Sequence, residues 1–123
     1  MEIINLSDKF SQFNDTWSPK ILGDIGDYQV KVAKFENEFT WHHHENEDEF
    51  FLVIEGLITI HVKENGKEVE YPLHSGEAMI VPKGVEHMPV SEGISQVLLL
   101  EPATTLNTGN VVNEKTVKDL DNI

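Results

Sequence analysis

The sequence predicts an all-β domain, a sandwich or barrel, preceded by a short helical segment. Three observations predict it. Apolar residues recur in short alternating runs from Tyr28 to Leu100, the period-2 pattern of half-buried strands. Turn-forming residues punctuate these runs at Glu55-Gly56, Ser75-Gly76, Pro82-Lys83-Gly84 and Glu92-Gly93, at the spacing of roughly 8–12 residues that marks sandwiches and barrels. Asn65-Gly66 stands between two strand-like runs and suits a two-residue type I′ turn, in which both central positions need φ > 0.

Taken in chain order, residues 1–27 read as an N-terminal segment that packs on the barrel. Its first half predicts a short helix capped by Ser7, with Leu6, Phe10 and Phe13 at helical spacing. Residues 28–112 form the barrel, with strands over 28–35, 40–44, 49–54, 57–63, 67–73, 78–81 and 96–100. In the third of these, Phe51 and Val53 share the parity of Glu49, and Phe50, Leu52 and Ile54 take the opposite one. Both faces are apolar, as in the inner sheet of a layered structure or a sheet packed on a partner chain. Residues 113–123 are a tail with one or two helical turns, Val117 and Leu120 pointing inward. Phe35, Phe39, Trp41, Phe51 and Met79 are expected to fill the core or pocket walls, and Trp17 to cover the barrel end or line its mouth.

A length of 123 residues corresponds to one domain. Nine basic residues against 22 acidic ones leave a net charge of −13. That charge repels the phosphates of nucleic acid and the anionic surface of a membrane, so neither is an expected partner. All 9 basic residues are Lys, so no guanidinium fork is available to grip a carboxylate or phosphate in bidentate fashion. The absence of Cys excludes disulfides, thiolate catalysis, iron–sulfur clusters and Cys-type zinc sites. Met1–Asn5 lacks a basic leader pattern, and the apolar run Phe50–Ile54 is far short of a membrane span. A soluble, cytoplasmic protein is expected.

The chemistry concentrates in histidine. His42, His43 and His44 are consecutive. On an extended chain His42 and His44 point the same way, with Cβ atoms roughly 6–7 Å apart, close enough for both imidazoles to converge on one ion. On a helix they would diverge by about 200°. Glu49 follows the polar, turn-like stretch Glu45–Asp48 and can open the next strand facing the same interior. His87 comes from a later turn–strand–turn unit marked by Gly76, Pro82 and Gly84. Three neutral nitrogens and a carboxylate suit one divalent transition metal ion: Fe, Mn, Ni, Zn, Co or Cu. His43 has the opposite parity and falls outside this set, while His61 and His74 read as ordinary strand or surface residues.

The order His42-x-His44, Glu49, Gly56 resembles the first motif of the cupin superfamily, and Gly76, Pro82-x-Gly84, His87, Ser91 resembles the second. The resemblance implies a double-stranded β-helix, or jelly-roll, barrel with the metal inside, held by His42, His44, Glu49 and His87. It extends to the tail segments Leu100-Glu101-Pro102 and Asn107-Thr108-Gly109, which look like those of small single-domain cupins. Glu36 stands where the first motif usually opens with Gly, and Ser91 where the second usually ends in Asn. Neither departure touches a ligand; both bear on loop geometry.

Beside a purely structural fold with an idle metal, two functional readings follow. In the first, the protein is a metal-dependent enzyme acting on a small organic molecule inside the barrel, by dioxygenase, isomerase or lyase chemistry. No separate general acid or base is identifiable. In the second, it is a non-catalytic small-molecule binder or sensor. Proteins of this appearance often carry a mannose-6-phosphate isomerase-like label, but the lack of Arg argues against a phosphorylated substrate. The resemblance also implies a homodimer, and the apolar faces of Phe50–Ile54 and Val97–Leu100 invite sheet-to-sheet pairing.

Overall fold

The computed structural model describes residues 1–123. A single-turn helix α1 (Leu6–Phe10) precedes strands β1 (Lys20–Ile25), β2 (Tyr28–Glu38), β3 (Glu49–Glu55), β4 (Leu57–Glu64), β5 (Lys67–His74), β6 (Ala78–Val81) and β7 (His87–Pro102). Every strand pair is antiparallel. The order is β1-β2-β7-β3-β6, with β4 bonded to both β7 and β5. The result is the all-β jelly-roll barrel that the sequence predicts. No helix is long and apolar enough to cross a membrane.

Strand β7 organises the barrel. Its first arm pairs with β4, from Val62↔His87 to Ile58↔Ser91. Its second arm lies between β2 and β3, with Leu99 opposite both Lys31 and Phe51. The two arms meet at a corner where Glu36 pairs with Ile94 but Asn37 pairs with Ser91, so Glu92 and Gly93 bulge out. Such a bulge bends a strand and re-aims its side chains. Ser91 Oγ donates to the Gly93 carbonyl at 2.8 Å and meets Ser95 Oγ at 2.7 Å, which closes the bulge from inside. Both positions that depart from the cupin motifs, Glu36 and Ser91, therefore fall on this one corner.

The alternation along each strand decides what the barrel encloses. Phe51, Val53, Ile58, Ile60, Val97 and Leu99 fill the interior, each at most 4% exposed. Burying a side chain of this kind contributes about 1.5–3 kcal/mol. Strand β2 is covered on both sides. Ala33 and Phe35 face the interior, and Val32 packs outward against Phe10 and Phe13 of the N-terminal segment. Trp17 closes one end of the barrel, with its indole stacked on Phe35 and Phe39 at centroid distances of 4.3 and 4.6 Å. Its Nε1 donates to the Glu36 carbonyl at 2.9 Å.

Several local expectations differ from the structure. The helix cap is Asn5, whose side chain accepts from the Asp8 amide at 3.0 Å, not Ser7. An unpredicted strand, β1, pairs with β2 and takes the C-terminus along its edge, with the Ile123 amide donating to the Ile21 carbonyl at 3.0 Å. The tail forms turns instead of a helix, with Val117 and Leu120 half-buried. Its turns close on side chains, as when the Asn113 amide donates to Thr116 Oγ1 at 2.9 Å. The 40–44 stretch makes one isolated bridge, His42↔His87, in place of a strand. Trp41 lies outside the core, its ring under Lys63 Nζ at 4.4 Å.

Gly56 sits at φ +115, and a Cβ there would overlap the Ser95 side chain. Gly66 also has positive φ, +76, but its surroundings are open. Gly56→Ala is expected to cost about 2–4 kcal/mol, combining backbone strain with the clash. Gly66→Ala should cost only the strain, about 1 kcal/mol. Urea midpoints measure both, and equal losses would remove the packing argument at the β3–β4 turn.

Candidate metal centre

The centre is assembled by backbone hydrogen bonds before any side chain contributes. The His42 amide donates to the His87 carbonyl at 3.0 Å, and the His87 amide returns to the His42 carbonyl at 2.9 Å. This reciprocal rung places the two rings 4.3 Å apart between centroids. The Gly84 amide donates to the His44 carbonyl at 2.7 Å, so the Pro82–Gly84 turn also grips the first histidine stretch. From the other side, Asn110 donates its amide to the His43 carbonyl at 3.0 Å and accepts the His43 amide at 2.9 Å. Gly109 permits that approach, since a Cβ there would run into the His43 carbonyl.

Two of the imidazoles are oriented by one device used twice. His42 Nδ1 lies 2.8 Å from the Thr40 carbonyl, and His87 Nδ1 lies 2.8 Å from the Val85 carbonyl. A carbonyl can only accept, so Nδ1 carries the proton and Nε2 keeps its lone pair for the interior. His44 Nε2 lies 2.8 Å and His87 Nε2 lies 3.2 Å from the same Glu49 oxygen, Oε1. These approaches are short without hydrogen-bond alignment: both His44 nitrogens, His87 Nε2 and Glu49 Oε1 are buried with no partner. Orphaned buried polar atoms cost about 1–3 kcal/mol each, and here they gather at one point.

The donor atoms of His42, His44, Glu49 and His87 all lie within 4.8 Å of one another, and all four residues are buried. Metal–nitrogen and metal–oxygen bonds of about 2.0–2.2 Å require ligand atoms no more than about 4.4 Å apart, so small inward movements would let these four close on one ion. The chain therefore carries a buried His-His-Glu-His group able to hold a metal. The four residues singled out from the sequence are brought together. His43 is not among them. It turns outward, with Nδ1 3.0 Å from Glu86 Oε2, and this contact raises its pKa. His61 stands beside Glu68 and Glu70 at 3.6 Å on the outer face of the β4–β5 hairpin.

Burial sets the electrostatics. Removal from water pushes the His42 pKa down to about 4, helped by His87 and opposed by the Thr40 carbonyl. Its ring is thus neutral, as a ligand nitrogen must be. Burial alone would raise the Glu49 carboxyl, but its contacts with His44 and His87 outweigh this and hold it well below the usual carboxylate range.

Sequence reasoning missed Glu101 and Lys31. Both face the interior near Glu49 and are at most 2% exposed, with Lys31 Nζ donating to Glu101 Oε1 at 2.8 Å. The signal was available: each is a lone charge inside an apolar run, at the parity of Leu99 and Ala33 respectively. Burial and the neighbouring Glu49 raise the Glu101 carboxyl well above its ordinary value, with Lys31 opposing. Trp17, Phe35, Phe39 and Phe51 wall a narrow cavity whose polar lining includes His42, Glu49, Glu101 and Asn107.

Comparison with known proteins matches this architecture. A crystal structure of a cupin-2 domain protein from Shewanella frigidimarina is 41% identical, covering 81% of this chain and 94% of that one, with a TM-score of 0.76. The uncharacterised protein YdbB of Bacillus subtilis (strain 168) is 35% identical over 66 residues, 54% of this chain and 56% of that protein's length. Hydroquinone 1,2-dioxygenase from Sphingomonas sp. TTNP3, solved with 4-nitrophenol, shares the fold at a TM-score of 0.74 and 24% identity, over 84% of this chain and 33% of that one. The family model described as cupin domain matches residues 28–101. With most of its length matched and its strands closed into this barrel, the chain belongs to the cupin family.

Proposed function

We propose that the protein is a metal-dependent cupin enzyme acting on a small organic molecule, with His42, His44, Glu49 and His87 as the ligands of one divalent transition metal ion. The observation that carries this reading is the set of buried, unpartnered donor atoms facing a common point. A structural core would not leave such atoms without partners, because each costs free energy until something occupies the space between them. When bound, the ion supplies Lewis acidity or a site for dioxygen, so dioxygenase, isomerase and lyase reactions are the classes in question.

The chain's own residues supply the rest. The Thr40 and Val85 carbonyls hold two imidazoles in the tautomer a ligand needs. The aromatic wall of Trp17, Phe35, Phe39 and Phe51 gives one side of the cavity an apolar lining that favours a ligand with an apolar body. No arginine is present to recognise a phosphate. We further propose a homodimer. The outward row Val30, Phe50, Leu98 and Leu100 is half-buried, and Ile80 beside it is 63% exposed. This apolar strip suits a second copy of the same chain.

Three measurements test the reading. His42→Ala combined with His44→Ala is expected to abolish stoichiometric metal after anaerobic purification; full retention would overturn the ligand assignment. Oxygen uptake with catechols, diketones and thiols, lost in His87→Ala, identifies an oxygenase, whereas tight ligand binding without turnover of any kind assigns the domain to sensing. Light scattering is expected to give twice the 14.0 kDa chain mass, and a monomer would remove the dimer.

A pH dependence follows for the metal-free protein. The His42 pKa is about 4 when folded and about 6.5 when unfolded. Between these values the unfolded chain takes up a proton that the folded one refuses. The stabilisation is complete above pH 6.5 and fades as pH falls towards 4. By pH 5 it amounts to a loss of about 2 kcal/mol. Urea unfolding at pH 7 and pH 5 should show a correspondingly smaller drop in His42→Gln; identical drops would contradict the neutral-ring assignment.

A further inference from the structure

The first residues of the chain stand apart from the barrel they lead into. Residues 1–4 are extended, and none of their backbone groups is hydrogen-bonded. Ile3 is 98% exposed and Ile4 47%. Asn5 fixes the direction of this arm. It caps α1 with extended torsions, φ −96 and ψ 108, so the chain ahead of Leu6 runs away from the helix instead of winding into it. The segment that follows is anchored on the outer face of the β1-β2-β7-β3-β6 sheet, where Phe10 and Phe13 pack on Val32. Two residues along β2 and on the same face, Val30 opens a row of cross-strand partners that runs through Leu100 and Phe50 to Ile80. A groove of about 260 Å³ lies along this row, between Tyr28, Phe50, Ile80 and Leu100. A cavity of roughly 150 Å³ already admits a six-carbon ring, so the groove has room for an isoleucine side chain. Asp48 at its rim is engaged elsewhere, its Oδ1 accepting from the Lys83 amide at 2.9 Å.

We propose that the arm of residues 1–4 is exchanged between two copies of this chain, with Ile3 of each copy seated in the groove between Tyr28, Phe50, Ile80 and Leu100 of the other. The proposal rests on the homodimer reading above and adds the contact that completes it. A stable interface draws on about 20–30 residues of each partner, and the outward row is only a few side chains wide. Repulsion between two chains of net charge −13 raises the requirement for apolar burial further. The arm, rooted one row away from the groove, supplies that surface. A two-fold axis through the row makes the exchange reciprocal, since the same patch serves both copies. On an extended chain Ile3 and Ile4 point to opposite sides. Ile3 therefore enters the partner's groove, and Ile4 keeps the partial cover it has on its own chain.

The chain has no Cys, so introduced thiols report the contact without background. Ile3→Cys protein is mixed with Ile80→Cys protein, the two carrying tags of different size, and oxidised with diamide. A second mixture uses Tyr28→Cys, so that one poorly angled pair does not decide. A disulfide needs Cα atoms within about 7 Å. The mixed, cross-linked pair is expected with at least one groove position. It is not expected with Ile94→Cys, a similarly exposed residue beside the β7 bulge. Ile3→Ser should weaken the dimer at least about a hundredfold in concentration-dependent light scattering, because each pair loses two buried side chains. Its far-ultraviolet circular dichroism should match that of the wild type. A cross-linked monomer from the double variant Ile3→Cys/Ile80→Cys would show the arm folding onto its own barrel and overturn the exchange. No link at either groove position, equal linking at Ile94→Cys, or wild-type dimer affinity in Ile3→Ser also overturns it, while leaving the dimer standing. A wild type that is monomeric at every concentration removes the dimer, and the exchange with it.

Discussion

His42 and His87 exchange both of their main-chain hydrogen bonds, and the rest of the interior is arranged around that rung. It joins the chain ahead of β3 to the start of β7, two stretches distant in sequence. Once the rung is made, the two rings have little freedom. Their Nδ1 atoms meet carbonyls two residues earlier, and their Nε2 atoms face the same interior point. His44 follows by alternation, and Glu49 opens β3 beneath it. The supporting contacts are main-chain too: Gly84 to the His44 carbonyl and Asn110 to the His43 carbonyl. A centre built this way is positioned by the barrel's own hydrogen-bond network, which is harder to perturb than side-chain packing.

The interior carries more charge than stability favours. Glu49, Glu101 and Lys31 are all at most 5% exposed in a barrel otherwise lined by aliphatic and aromatic side chains. Their opposed effects keep the arrangement tolerable: two imidazoles lie against Glu49 and an ammonium against one oxygen of Glu101. What remains uncompensated is the inward-facing set of lone pairs. Natural proteins tolerate such local costs mainly at functional sites.

Much of this was legible in the sequence, for identifiable reasons. Period-2 alternation and turn residues located β3, β4, β5 and β6 closely, because successive side chains along those strands alternate into and out of the core. The converging set was legible because alternation places His42 and His44 together even where no ladder forms. Elements governed by tertiary partners were not. Strand β1 exists because β2 offers it an edge, and its own residues, Lys20-Ile21-Leu22-Gly23-Asp24-Ile25, announce little. The tail from Asn113 lacks a helix because Thr116 and Asn107 bind its backbone in turns. Trp41 lies outside because it alternates with the inward-facing His42, and Lys63 Nζ sits over its ring. Lys31 and Glu101 were overlooked because a lone charge in a strand reads by default as facing solvent.

The corner in β7 has a consequence for how such a barrel can diversify. One strand holds His87 on one arm and Glu101 on the other, with the Glu92–Gly93 bulge between them. Since side chains alternate, inserting or deleting a single residue at that bulge would swing one arm by half a pleat relative to the other. One of the two polar heads would then leave the interior together with the wall residue of its own arm, Leu99 beside Glu101 or Pro89 beside His87, while its counterpart stayed. The joint thus works as a phase adjuster between the two halves of the chamber, and length variation there exchanges the polar head and the wall of one arm together.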